Sequence, residues 1–144
     1  MVLRTPAGTG ELDALLRDSG LPVDDLGEVP ASDCLVADAD GQVVGVVGLQ
    51  IFGGDALLRS LAVADSHRGH GVGGQLVAAI EQLARTREVN HLYLLTTTAE
   101  AWFSRHGYQT ASRDDTPAAI RATREFSSLC PATAAFLGKS LTHH

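Results

Sequence analysis

Residues 65–84 read DSHRGHGVGGQLVAAIEQLA. Four glycines, Gly69, Gly71, Gly73 and Gly74, stand where a helical pattern must start. A glycine inside a helix costs roughly 0.5–1 kcal/mol relative to alanine. The cluster therefore marks either a loose turn or a place where the backbone approaches something closely. Beyond it, Val72, Leu76, Ile80 and Leu83 fall on one helical face, with Gln75, Glu81 and Arg85 off that line. Ahead of it, residues 57–63 form an apolar run broken only by Arg59 and Ser60. A strand, a glycine loop containing Arg68, and an amphipathic helix can together hold an anion. Glycines let N–H groups converge, and the helix start adds unpaired donors and a positive dipole end. A pyrophosphate suits such a cradle.

Two familiar phosphate loops do not fit. Gly69-x-Gly71-x-Gly73 has the wrong spacing for a dinucleotide fingerprint, and it does not open a βαβ unit. No Lys-Ser or Lys-Thr follows the glycines, as a P-loop requires.

Working outward, the segment before the loop reads as three consecutive strands. Asp40-Gly41 between two apolar runs is a hairpin pattern, and Gly53-Gly54 marks a second turn. Upstream, residues 2–6 suit a short edge strand. Residues 10–21 suit a helix, because Leu12, Leu15 and Leu16 share a face and Gly20 ends it. Downstream, the pattern predicts a buried strand at 91–97, a short helix at 99–107 stopped by Gly107, and a strand from Tyr108 to Arg113. It then predicts a helix after Thr116-Pro117 and a closing strand over 134–141. Hairpins first, then strand–helix–strand units, predict an α/β fold with a mixed sheet and helices on both faces.

The composition fits one domain over residues 1–144, with 44% hydrophobic and 19% charged residues. The final His143-His144 is set aside as the stub of a purification tag. A net charge of −6 argues against general nucleic-acid binding, which needs clustered Lys and Arg. Cys34 and Cys130 show no metal-ligand spacing, and no metal is expected. With no secretory pattern and no apolar run of membrane-spanning length, the expected setting is cytoplasmic, without membrane contact.

LAVADSHRGHGVGGQLVAAIEQLA, residues 61–84, resembles the acetyl-CoA site of the GNAT acetyltransferase superfamily. Arg68, Gly71 and Gly73 match its Arg/Gln-x-x-Gly-x-Gly/Ala pattern. AEAWFSRHGYQ, residues 99–109, is similar to the family's helix ending in Gly-Phe/Tyr. The resemblance implies a mostly antiparallel central sheet flanked by helices, splayed between the fourth and fifth strands. It implies that acetyl-CoA is the co-substrate. The N–H groups of Gly69, His70, Gly71, Val72, Gly73 and Gly74 would cradle the pyrophosphate beside Arg68. The pantetheine arm would pair with main chain near Leu61, Ala62 and Val63, and the N–H of Val63 or Ala62 would serve as oxyanion donor.

Two departures matter. Many relatives carry a Glu on the strand before the loop, where this chain has ALLRSLAV. Many carry a Tyr four residues before the helix-ending glycine, where this chain has Phe103. The remaining proton carriers are His67, His70, His106, Ser104, Tyr93 and Tyr108. Arg59 has two readings: an ion pair with one of the 17 acidic residues, or a bidentate clamp on a substrate carboxylate.

RSLAV with TTTAEAWFSRHGY resembles the amino-acid N-acetyltransferase branch, including N-acetylglutamate synthase-like enzymes, where an Arg at this position is associated with the amino-acid carboxylate. Arg59, Thr97 and Phe103 would then line the amine side. The tail IRATREFSSLCPATAAFLGKSL is similar to a subgroup associated with arsenic-resistance operons, whose relatives acetylate amino-acid-like toxins. Cys130 within it reads as a buried inert thiol or as an arsenic-binding or catalytic one. The expected function is transfer of acetyl to the amine of a small amino acid or such a toxin, in a chain compatible with a homodimer. Protein or peptide acetylation, or a sensor that binds acetyl-CoA without turnover, are the competing readings.

Overall fold

The computed structural model describes residues 2–6, 31–67, 69, 71–96, 99–111, 117–121 and 135–141, with the backbone alone of Ala31, Ser60, Asp65, Ala119 and Arg121. The helix predicted at 10–21 lies outside the described residues. So do Arg68, His70, Thr97, Cys130 and His143-His144.

Among the described residues seven strands are seen: β1 (Val2–Arg4), β2 (Cys34–Ala39), β3 (Gln42–Phe52), β4 (Asp55–Val63), β5 (His91–Thr96), β6 (Gln109–Thr110) and β7 (Ala135–Ser140). Three α-helices are described: α1 (Val72–Thr86), α2 (Glu100–Arg105) and α3 (Ala118–Arg121). The strands hydrogen-bond in the order β1-β2-β3-β4-β5-β7-β6. β4 and β5 are parallel, and β1–β2, β2–β3, β5–β7 and β6–β7 are antiparallel. The expected mixed, mostly antiparallel α/β sheet is therefore present. Among the described residues no helix is long and apolar enough to cross a membrane.

The chain divides into two compact units. The first comprises Met1–Gln50 and Leu58–Leu83. Its centre is the β2–β3 hairpin. Asp40 at φ 54° and Gly41 at φ 87° give the turn two left-handed residues in succession, and the Gly41 N–H donates to Asp38 Oδ1 at 2.7 Å. β3 is buried from Val44 to Leu49. One side of it receives α1: a Cβ added at Gly45 would stand 2.8 Å from Leu76 Cδ1 and 3.0 Å from Val72 Cγ1. The helix lies too close for any side chain there. Val72, Leu76 and Ile80 are buried as the periodicity predicts, Val77 is buried as well, and Leu83 is half-buried. Glu81 departs from the expected pattern and is also buried.

The second unit comprises Ile51–Leu57 and Ala84–His144. Here Asp55–Leu57 of β4 pairs in parallel with His91–Tyr93 of β5. Leu57, Ile120 and Phe136 form its core, with Phe52, Tyr93, Leu95 and Ala111 packed around them. Tyr93 stacks on Phe136 with centroids 5.4 Å apart, and its ring passes over Gly138, its β7 partner. Helix α2 ends as predicted at Gly107, whose φ is 94°. β6 pairs with Leu137 and Gly138 of β7, and Ser112 and Arg113 of the expected strand lie outside the described residues.

Candidate active site

In the first unit, β4 leads into the glycine loop. The Ala64 N–H donates to the Val44 carbonyl at 2.8 Å, extending the β3–β4 contact one residue past the strand. The chain then turns through Asp65–His67, closed by the His67 N–H on the Ala64 carbonyl at 2.9 Å. Ser66 Oγ and His67 Nδ1 lie 2.8 Å apart. Gly69 and Gly71 follow at φ 82° and 80°, left-handed values that L side chains rarely adopt. A Cβ on either would meet nothing within 4 Å. The glycines thus serve backbone shape and leave open space beside it, instead of admitting a packed neighbour.

The Gly71 carbonyl accepts from the Gln75 N–H at 3.1 Å, which makes Gly71 the residue capping α1. The N–H groups of Gly71, Val72, Gly73 and Gly74 are then the four that an α-helix cannot satisfy internally. No acidic residue occupies the first turn. The site therefore presents uncompensated donors and a positive dipole end, and a pyrophosphate fits it.

Arg59 lies on the face of β3 opposite α1. Gly48, of opposite parity to Gly45, would aim a Cβ at Cys34 Sγ, 3.2 Å away, and toward Arg59 Cγ at 3.9 Å. Arg59 is 2% exposed, and its Nη1 donates to Gln50 Oε1 at 3.4 Å. Burial pushes the Cys34 thiol up from 9.0 to about 11, with the Asp33 carboxylate adding to the rise and the Arg59 guanidinium opposing it. Asp33, Cys34 and Arg59 are thus electrostatic neighbours. Because the thiolate is disfavoured only in the folded chain, stability is fully present below pH 9 and falls as pH rises through about 11. Thermal melts from pH 8 to 11 should show the wild type losing stability faster than Cys34→Ala; parallel curves would place the thiol outside this environment.

In the second unit, Phe103 is buried in α2, edge-to-face with Trp102 at 4.9 Å and with Tyr108 at 5.5 Å. Tyr108 is 1% exposed. His106 stacks on Trp102 at 4.0 Å, and its Nδ1 lies 2.9 Å from the Trp102 carbonyl. A carbonyl only accepts, so Nδ1 carries a proton in this contact. Burial, then the nearby Asp55 charge, raises the Tyr93 phenol above its ordinary value, so it stays protonated at neutral pH.

The structure thus brings Arg59, Leu61, Ala62, Val63, Gly69 and Gly71–Gly74 into one unit, and Phe103 into the other. Gln50, Gly48 and Cys34 around Arg59 are additions that the sequence reading did not single out.

A family model described as an acetyltransferase (GNAT) domain matches residues 30–110, more than half of the sequence. The chain belongs to the GNAT acetyltransferase family. The acetyl donor of GNAT domains is acetyl-CoA. An amino-acid acetyltransferase of Neisseria meningitidis serogroup A is 32% identical over 90 residues, which is 60% of this GNAT chain and 20% of that protein. An N-acetyltransferase of Chlorobaculum tepidum is 34% identical over 89 residues, 61% of this chain and 57% of that one. This chain spans about a fifth of the length of the curated amino-acid acetyltransferase it matches. Among solved structures, N-acetylglutamate synthase from Neisseria gonorrhoeae, complexed with coenzyme A and N-acetyl-glutamate, superimposes with TM-score 0.83 at 24% identity. That match covers 99% of this chain and 35% of that one. A Mycobacterium tuberculosis protein in complex with CoA and NLQ gives TM-score 0.79 at 24% identity, covering 99% and 100%. These two likenesses establish the GNAT fold.

Proposed function

We propose that residues 1–144 act as one N-acetyltransferase domain that moves acetyl from acetyl-CoA to the amine of a small amino acid or amino-acid-like toxin. The observation that carries the substrate class is the buried Arg59, a cation set into an apolar strand just before the glycine loop. A solved relative complexed with coenzyme A and N-acetyl-glutamate supports the same class.

In this reading the donors at the start of α1 hold the pyrophosphate, together with Arg68 and the N–H groups of Gly69 and His70. The N–H of Val63 or Ala62 is the proposed oxyanion donor. The amine lone pair attacks the thioester carbonyl carbon, the C–S bond breaks, and the amine's proton ends on the departing sulfur or in water. Arg59 holds the substrate carboxylate and so fixes where the amine sits. The resemblance adds Thr97 and Phe103 as substrate-binding residues.

Release of free thiol, measured across a panel of amino acids, simple amines and peptides, tests the assignment. Turnover with amino acids but not with their decarboxylated amines is the expected result. Turnover confined to peptides would replace it with the peptide reading. Tight acetyl-CoA binding with no turnover would replace it with the sensor reading.

The same assay reads the chemistry. Residues 58–63 contain no carboxylate, and a Phe stands at position 103. Deprotonation should therefore fall to water, and kcat/KM should climb steadily toward alkaline pH, following the substrate amine. A bell with a limb near neutral pH would instead assign the step to a histidine, with His67 and His106 the first to replace by Ala.

A further inference from the structure

We infer that Lys139 is a positioning residue for the transfer: from β7 it holds the end of α2 and so sets where Phe103 stands, without touching substrate itself. This rests on the reading of Phe103 as a substrate-binding residue. Three observations carry it, all within the second unit. Lys139 Nζ donates to the carbonyl of His106, the residue that ends α2, at 3.0 Å. The lysine stem runs beside Gly107, where an added Cβ would stand 3.3 Å from Cε and 3.4 Å from Nζ. Nζ lies 5.4 Å from the centre of the Tyr108 ring, and that ring meets Phe103 edge-to-face at 5.5 Å.

A helix of six residues gains little from its own backbone, so its ends decide whether it keeps its place. The start of α2 is held by Thr96, whose Oγ1 accepts from the Ala99 N–H at 3.0 Å. At the other end the Phe103 carbonyl accepts from the N–H groups of His106 and Tyr108, and the Ser104 carbonyl from that of Gly107. These bonds close the turn but tie it to nothing beyond α2 and the residues that follow it. Lys139 makes a tie to β7. Its ammonium also suits the negative end of a helix dipole and the face of an aromatic ring. Gly107 serves both needs, with a left-handed φ of 94° for the turn and room for the lysine stem beside it. The cation, the Tyr108 ring and the Phe103 ring form one continuous line of contacts, and withdrawing the cation loosens both rings.

The experiment compares Lys139→Met, Lys139→Arg and Phe103→Leu, each confirmed as folded at the assay temperature by circular dichroism. Substrates are acetyl-CoA and the amine that the wild type acetylates best. Phe103→Leu should raise the amine KM several-fold. Lys139→Met, which keeps the stem and removes the cation, should raise the amine KM roughly three- to tenfold and leave the acetyl-CoA KM within about twofold. Lys139→Arg, which restores a donor for the carbonyl and a cation for the ring, should recover most of that loss. Lys139→Met combined with Phe103→Leu should cost little more than Phe103→Leu alone, because both act through one side chain. A raised amine KM in Phe103→Leu beside an unchanged one in Lys139→Met would overturn the role of Lys139 alone. A Lys139→Met enzyme that loses both KM values alike, or that Arg fails to rescue, would mark Lys139 as merely structural. An amine KM unmoved by Phe103→Leu, or a wild type that acetylates no amine, would overturn the amine-side reading of Phe103, and Lys139 with it. If Lys139→Met does not fold, Lys139→Gln takes its place, with the same expected split and the same overturning results.

Discussion

Gly71→Val should weaken acetyl-CoA binding at least a hundredfold, the largest effect expected of any single change in this chain. Two physical consequences combine. The residue sits at φ 80°, where a β-branched side chain is strained. Its Cβ would project into space that holds no protein atom within 4 Å, which is the space a pyrophosphate would fill. Losing close approach to several N–H donors at once removes charge-assisted bonds of roughly 1.5–3 kcal/mol each. Two decades of affinity correspond to about 3 kcal/mol, so displacement of one or two such bonds suffices. The strain also acts on folding, and a control separates the two. Gly41 has φ 87° and equally open surroundings, but it lies in the β2–β3 turn. Gly41→Val should destabilise comparably and leave the affinity intact. Calorimetry on folded Gly71→Val that returned the wild-type affinity would remove the cradle from this loop.

That glycine cluster was the most legible part of the sequence because its pattern is local. A helix start needs donors, a left-handed backbone needs glycine, and both show in consecutive residues. The three strands before it were equally readable from Asp40-Gly41 and Gly53-Gly54, each a two-residue turn between apolar runs. What could not be read depends on register. Gly45 and Gly48 look like weak points in a strand, yet one admits Leu76 and the other stands close against Cys34 Sγ. Their opposite roles follow from parity, and parity relative to β2 is fixed only once Cys34 is seen opposite Gly48. The Gln50 contact is hidden for the same reason: nine residues separate it from Arg59, and only the β3–β4 pairing brings them together. Glu81 misled in another way. Charge argued for the exposed side of α1, yet the side chain is buried.

Replacement of Arg59 should decide the substrate class. Arg59→Ala should raise the amino-acid KM by roughly ten- to a hundredfold, the equivalent of one charge-assisted contact of roughly 1.5–3 kcal/mol, while acetyl-CoA affinity stays nearly constant. Arg59→Lys should recover only part of the loss, because an ammonium keeps the charge and not the planar fork. Its shorter reach also abandons Gln50, which leaves the amide without its donor. Removing a side chain that is 2% exposed opens a cavity beside Cys34 and Gly48, so a folding defect could mimic lost recognition. A chemical change to the substrate avoids that ambiguity. Esterifying the carboxylate should mimic the mutation in the intact enzyme, and ester with Arg59→Ala should cost little more than either alone, since both delete the same contact. The competing arrangement is an Arg59 whose charge is consumed by Asp33, its neighbour across Cys34. In that case Arg59→Ala would lower the melting temperature and spare the KM, Asp33→Asn would destabilise to a similar degree, and the ester would be acetylated as well as the acid. That triple result would return Arg59 to the framework of the sheet and move peptide acetylation ahead of amino-acid acetylation.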